Sequence, residues 1–314
     1  MGPRHFIDLD ALPAHTLRAI VDAAHAMKKA GKRVPKHLRP NDIEDAILLM
    51  IFEKPSTRTR VSFDVAMRQL GGQAISLNSN DLQSGRGESP SDTAKVLSRY
   101  GDAIMIRTSG HARIMELADN ATIPVINGLT DRSHPCQILA DIMTFEESKG
   151  PIKGRSVAWC GDGNNVAVSW MQAACLFGFE LRIACPPQLK PERDVIDWVD
   201  KHKGQLGGNV IITDDAIVAT KGADCVVTDT WVSMGQSDES RRKQLLGPYA
   251  VDKALMKTAH KDAIFLHCLP AYRGHEVSAD VIDGPQSRVF DEAENRLHAQ
   301  KAILSWCLGC DFGA

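Results

Sequence analysis

Several short segments of the chain combine residue types that could act together on small charged molecules. Ser56-Thr57-Arg58-Thr59-Arg60 interleaves three hydroxyls with two guanidinium forks. It follows an apolar run and precedes a helical pattern, so it should open a helix. There, backbone N–H groups and the positive end of the helix dipole favour an anion. With Arg58 and Arg60 added, the segment predicts a cradle for a phosphate or carboxylate. A helix cap would account for the Ser-Thr pair alone, but two interleaved arginines exceed what capping requires. No GxxxxGK[ST] pattern is present, so this is not a Walker A loop.

Five further segments follow apolar runs. Arg107 stands directly after Ile104-Met105-Ile106, which by itself would be an ordinary strand-end charge. His134 and Gln137 are three apart at a helix start marked by Pro135 and share one face, suited to a small polar molecule. Gly161-Asp162-Gly163 resembles the opening of a dinucleotide fingerprint, but Val166 replaces the third glycine. The second strand then ends Cys185-Pro186-Pro187, without the ribose-binding acid expected about 20 residues on. Asn164 and Asn165 suit a small ligand instead. Asp229 ends another apolar run and could hold a cationic amine or simply cap a turn. Cys268 follows Ile264–His267, and Leu269, which precedes Pro270, should have extended backbone with its carbonyl turned toward a ligand.

Helices and strands must alternate to place these segments. Leu12 to Met27 steps at helical spacing until Gly31, residues 46–52 read as a buried strand, and Phe63, Ala66 and Leu70 continue a second helix. Strands follow at 73–77, 103–107 and 124–129, with helices at 93–100, 111–120 and 134–147. After Lys149-Gly150-Pro151 the alternation restarts: strands at 156–160, 181–185, 209–212, 223–228 and 263–268, helices at 166–177, 192–202, 215–221 and 251–257, and a helical tail over 292–306. This predicts an α/β chain of two domains, each a mainly parallel sheet flanked by helices and joined by helices. The Gly- and Ser-bearing stretch 231–247 reads as a mobile lid that closes on substrate. In such sheets ligands bind beyond the carboxyl ends of the strands, where these segments fall.

Composition narrows the function classes. At 314 residues the chain suggests two domains. Lys plus Arg total 37 against 39 Asp plus Glu, so there is no basic footprint for nucleic acid or an anionic membrane. The longest apolar run, residues 46–52, is too short to span a bilayer. The N-terminus has no apolar signal core, which predicts a cytoplasmic protein whose eight cysteines are reduced thiols. No cluster with metal-ligand spacing stands out, and no cofactor or metal is expected.

STRTR at 56–60, HPxQ at 134–137, DxxxSMG at 229–235 and HCLP at 267–270 together resemble the ornithine carbamoyltransferases, in order along nearly the whole chain. The resemblance implies a carbamoyl-phosphate domain over 1–148, completed by a C-terminal helix over 292–314, and an ornithine domain over 149–291. It also implies trimers with shared active sites and arginine biosynthesis. Ser56, Thr57, Arg58, Thr59, Gln83, Arg107, His134, Gln137, Cys268, Leu269 and Arg296 would contact carbamoyl phosphate, with Gln83 reaching a neighbouring subunit's site. Asn165, Asp229, Ser233 and Met234 would hold ornithine. Arg58, Arg107, His134, Asp229 and Cys268 would carry catalysis.

Three rival readings stay in view. An aspartate-specific sibling would need basic groups for a second carboxylate, and a putrescine enzyme would also want an amine-binding acid, so the SMG segment is what favours an α-amino acid. An NAD-linked dehydrogenase lacks its third glycine and ribose acid. A non-catalytic carbamoyl-phosphate- or ornithine-binding regulator would not be expected to keep every reactive residue.

Overall fold

The first long helix, α1 (Ala14–Ala30), ends at Gly31, whose φ of 74° lies where glycine is at ease. The apolar run after it is strand β1 (Ile47–Phe52), buried along almost its whole length as a central parallel strand must be. In this computed structural model, which describes residues 2–78, 88–232 and 238–312, β1 leads into α2 (Thr57–Leu70) and β2 (Gln73–Asn78). Then come α3 (Pro90–Leu97), β3 (Ala103–Arg107), α4 (His111–Asn120), β4 (Val125–Leu129) and α5 (Pro135–Lys149).

The second run of elements is β5 (Ser156–Cys160), α6 (Asn165–Phe177), β6 (Glu180–Ala184), α7 (Arg193–His202), β7 (Asn209–Thr213), α8 (Ala216–Thr220) and β8 (Cys225–Thr228). It finishes with α9 (Glu239–Leu246), α10 (Lys253–Met256), β9 (Ile264–His267), α11 (Ala279–Ile282) and α12 (Val289–Cys307). The chain forms two compact units: residues 1–143 with 294–314, and residues 144–293. The divisions fall inside α5 and α12.

Each unit is built on a wholly parallel sheet. In the first the order is β2-β1-β3-β4, with Phe52 opposite Asn78 on one side and Arg107 on the other. Chain order therefore reverses between β1 and β3. In the second the order is β7-β6-β5-β8-β9, and the reversal falls between β5 and β8. These are the switch points at which an open α/β sheet leaves a crevice beyond its strand ends. Helix α6 is buried almost all round, which accounts for its lack of a polar face.

Several elements depart from the sequence reading. Helix α3 begins at Pro90 rather than 93, because Ser89 accepts from Asp92 N–H and Pro90 takes the first turn. The strand expected over 263–268 ends at His267, leaving Cys268 and Leu269 in the loop. The helix expected over 251–257 is the single turn of α10. Of the stretch read as a lid, residues 239–246 are helix α9, and residues 233–237 lie outside the described residues. None of the eight cysteines is in a disulfide, and seven are buried. Among the described residues no helix is long and apolar enough to cross a membrane.

Candidate active site

The first unit gathers an anion cradle at its switch point. Ser56 has extended backbone and caps α2, its Oγ accepting from Thr59 N–H at 3.3 Å. The cap fixes the direction of the first turn, so Thr57 and Arg58 follow directly, exposed and half-buried, while Thr59 is buried. Two arginines from distant elements then meet on Thr59. Arg296 on α12 donates from Nη2 to Thr59 Oγ1 at 2.8 Å, and Arg107 at the end of β3 donates from Nη1 to the same oxygen at 3.5 Å. A hydroxyl held by two guanidinium groups beside a helix N-terminus is a strong anion-binding arrangement.

The loops beyond the strands are braced by charge. Glu53, just past β1, accepts from Thr108 Oγ1 and pairs with Arg113 Nε at 2.6 Å. Lys54 reaches Asp131, past β4, at 3.1 Å. These links tie the turns after β1, β3 and β4 to one another, so the arginines do not depend on loop packing alone.

His134 is buried at the start of α5. Burial above all, and then the guanidinium groups of Arg296 and Arg107, hold its pKa well below the usual imidazole value. A neutral imidazole beside two cations can donate a hydrogen bond to a polarising carbonyl without adding a third charge. Gln137, one turn along, is also buried and donates from Nε2 to Asp141 Oδ1 at 2.8 Å.

The second unit presents a different chemistry at its own switch point. Asn164 caps α6, its Oδ1 accepting from Val166 and Ala167 N–H at 3.0 and 3.1 Å, and its Nδ2 donates to Asp229 Oδ2 at 2.9 Å. The other oxygen, Asp229 Oδ1, accepts from Thr230 N–H at 2.7 Å and from Cys268 Sγ at 3.1 Å. The buried carboxylate is thus fixed at both oxygens. Asn165, the first residue of α6, is half-buried.

Backbone beyond β9 is held by an imidazole. His267 is buried; its Nδ1 accepts from Leu269 N–H at 2.9 Å and its own N–H donates to Glu292 Oε2 at 2.8 Å. Its Nε2 lies 3.4 Å from Glu276 Oε1. Leu269 has φ 56°, a left-handed conformation unfavourable for a branched side chain, and the Leu269–Pro270 bond is cis. The expected extended backbone at Leu269 is therefore corrected: Leu269 lies in the left-handed region, its N–H tied to His267 Nδ1.

Gly161 has φ 146°, where glycine is at ease, and Gly163 is required by packing. A Cβ on Gly163 would lie 2.4 Å from Pro191 N and 2.6 Å from Leu189 O. Its absence admits the backbone of 189–191, which explains the partial dinucleotide pattern. Asp162 pairs with Arg242 of α9, which also donates from Nε to Trp231 O at 2.8 Å; burial raises the Asp162 pKa and Arg242 opposes the rise.

Of the residues singled out in the sequence, Thr59, Arg107, His134 and Arg296 come together in the first unit, and Asp229 and Cys268 in the second. Gln83, Ser233 and Met234 lie outside the described residues. Asn164 as the partner of Asp229 was not anticipated. Its place before a helix signals a cap, but nothing local signals a bond across 65 positions. Asp229, His267 and Cys268 each place a potential metal ligand atom within 4.8 Å of the others, yet all three take part in the hydrogen bonds above.

Two family models match the chain, one on each part. Residues 4–147 match the family model described as aspartate/ornithine carbamoyltransferase, carbamoyl-P binding domain, and residues 153–307 match the Asp/Orn binding domain of the same family. The chain is 58% identical over 310 residues to an ornithine carbamoyltransferase of Rhodopseudomonas palustris strain BisA53, covering 98% of each chain. Among solved structures, it resembles ornithine carbamoyltransferase from Pyrococcus furiosus with TM-score 0.91 and 49% identity over 96% of both chains. It also resembles an anabolic ornithine carbamoyltransferase from Campylobacter jejuni, with TM-score 0.89 and 39% identity over 97% of this chain and 98% of that one. Matched along almost its whole length, the chain belongs to the aspartate/ornithine carbamoyltransferase family.

Proposed function

We propose that this chain transfers the carbamoyl group of carbamoyl phosphate to the side-chain amine of L-ornithine, forming L-citrulline and phosphate, a step of arginine biosynthesis. The observation that carries the reading is the meeting of Arg107 and Arg296 on Thr59 Oγ1 beside a neutral His134. Carbamoyl phosphate needs such a set of donors. Its phosphate leaves as an anion, and its carbonyl oxygen gains negative charge as the amine attacks.

Each residue has a part in this reading. Ser56, Thr57, Arg58, Thr59, Arg107 and Arg296 bind the phosphate through the α2 N-terminus and charge-assisted bonds. His134, with Thr59 and Arg107, faces the carbonyl oxygen. Gln137 and the backbone of Cys268 and Leu269 hold the carbamoyl NH₂. Asp229 and Cys268 orient the attacking amine, which must be neutral to attack. Asn165, Ser233 and Met234 hold the amino-acid head. A C–N bond forms, the C–O bond to phosphate breaks, and the amine gives up one proton. Holding the two substrates in attack geometry supplies much of the rate.

In this reading residues 1–148 with 292–314 form the carbamoyl-phosphate domain and residues 149–291 the ornithine domain. The working state is a cytoplasmic homotrimer whose subunits share sites through Gln83, and light scattering would test the assembly. The activity is tested by citrulline formation from carbamoyl phosphate with L-ornithine, run beside L-aspartate, putrescine and N-acetylornithine. Product with ornithine alone is expected. Product with a different acceptor would overturn the assignment of Asp229 and its loop while leaving the phosphate site in place.

A further inference from the structure

Gln137 and Asp141 lie one turn apart on α5, both fully buried, and Gln137 Nε2 donates to Asp141 Oδ1 at 2.8 Å. None of the steps above uses Asp141. A carboxylate in a protein interior is costly unless hydrogen bonds offset its lost hydration. An ionised carboxylate only accepts, whereas an amide side chain has a donor end and an acceptor end. The bond therefore does more than fix a rotamer: it draws the NH₂ end of Gln137 to Asp141 and turns the carbonyl end the opposite way.

We propose that Asp141 is a positioning residue that turns the Gln137 amide so that its carbonyl end meets the NH₂ of the carbamoyl group. The inference rests on the reading that Gln137 contacts that NH₂. With the amide reversed, two NH₂ groups would face each other and the contact would be lost. The same orientation discriminates between substrates. An acyl phosphate carrying an anionic oxygen where carbamoyl phosphate carries NH₂ would set that oxygen against the Gln137 carbonyl.

The test is a double-mutant cycle on the full-length enzyme with Asp141→Asn, Gln137→Ala and both together, assayed for citrulline formation. Asparagine keeps the shape but offers either end to Gln137, so the amide loses its fixed direction. Asp141→Asn is expected to lower kcat/KM for carbamoyl phosphate about tenfold, the cost of a buried hydrogen bond left mismatched. The inhibition constant of inorganic phosphate, which carries no NH₂, should stay within about twofold, the usual scatter for uncoupled sites. In the Gln137→Ala background, Asp141→Asn should cost nothing further. Equal losses in both backgrounds, or phosphate inhibition weakened in parallel, would overturn the proposal and leave the Gln137 contact standing. Wild-type activity in Gln137→Ala would remove the contact and with it the proposal. If Asp141→Asn does not fold by circular dichroism, Asp141→Ser, which likewise both donates and accepts, takes its place in the cycle.

Discussion

Arg296 is buried on α12, and its bond to Thr59 is the shorter of the two that meet there, so Arg296→Met separates anion binding from folding. In the wild type Nη2 lies 2.8 Å from Thr59 Oγ1, while Arg107 lies 3.5 Å from the same oxygen. A buried charge-assisted hydrogen bond contributes about 1.5–3 kcal/mol, so phosphate should bind roughly 10–100-fold more weakly to the variant. A ligand stabilises the folded state by RT ln(1 + [L]/Kd), which is about 2.7 kcal/mol at a hundred times Kd. At that same phosphate concentration the variant should gain only about 0.4–1.4 kcal/mol. With roughly 2–4 °C per kcal/mol for a domain of about 150 residues, the wild-type Tm should rise by about 5–10 °C and the variant's by about 1–5 °C. The assay is thermal unfolding with and without inorganic phosphate. Without phosphate the variant should unfold near the wild-type temperature, because relief of repulsion between Arg296 and Arg107 offsets the lost bond. Arg296→Lys, which keeps the charge but not the fork, should fall between the two. A phosphate shift as large in Arg296→Met as in the wild type would refute the assignment of Arg296 to the anion cradle.

Two further outcomes follow from the site. His134 stays neutral in the folded state because burial, Arg296 and Arg107 lower its pKa, whereas the unfolded chain takes up a proton below about 6.5. Stability should therefore fall as the pH drops below that value, and the stability gap between wild type and His134→Asn in urea denaturation should shift against the wild type by about 1.4 kcal/mol from pH 7.5 to 5.5; a pH-independent gap would contradict a buried neutral His134. Asp229→Asn should raise KM for ornithine roughly tenfold or more, since a bond to a charged group is lost, with phosphate inhibition unchanged; an unchanged KM would show that another group holds the amine.

The inner strands β1, β3, β5 and β8 were legible because they are buried almost throughout and read as apolar runs. Residues 103–107, 111–120 and 156–160 have the same bounds in sequence and structure. Helix α9 was not legible: Glu239–Leu246 is polar almost throughout and is held by contacts that periodicity does not register. Those contacts are the Lys243–Glu239 pair at 2.6 Å and the reach of Arg242 to Asp162 and Trp231. The start of α3 carried its signal in Ser89-Pro90, which the reading of a helix over 93–100 passed over. In the candidate site, hydroxyls, guanidinium groups and imidazole could be recognised by type. Their partners could not. Asn164 with Asp229 is a bond between distant segments, and only the folded sheet brings the two together.

The first unit is interrupted in sequence. Its sheet and anion cradle come from residues 1–143, yet Arg296 on Thr59, Lys301 on Gln69 at 2.9 Å and Ser305 on Leu38 at 2.6 Å all come from α12. The second unit, residues 144–293, is contiguous and can finish folding as it emerges from the ribosome. The first unit must wait, with the surface that α12 covers left open, until α12 is made. Closing so long a loop is slow, and the uncovered surface is exposed to misassembly meanwhile. Completion of the phosphate cradle is in this way coupled to synthesis of α12: a nascent chain that stalls before residue 296 can carry a folded second unit and still lack a finished anion site.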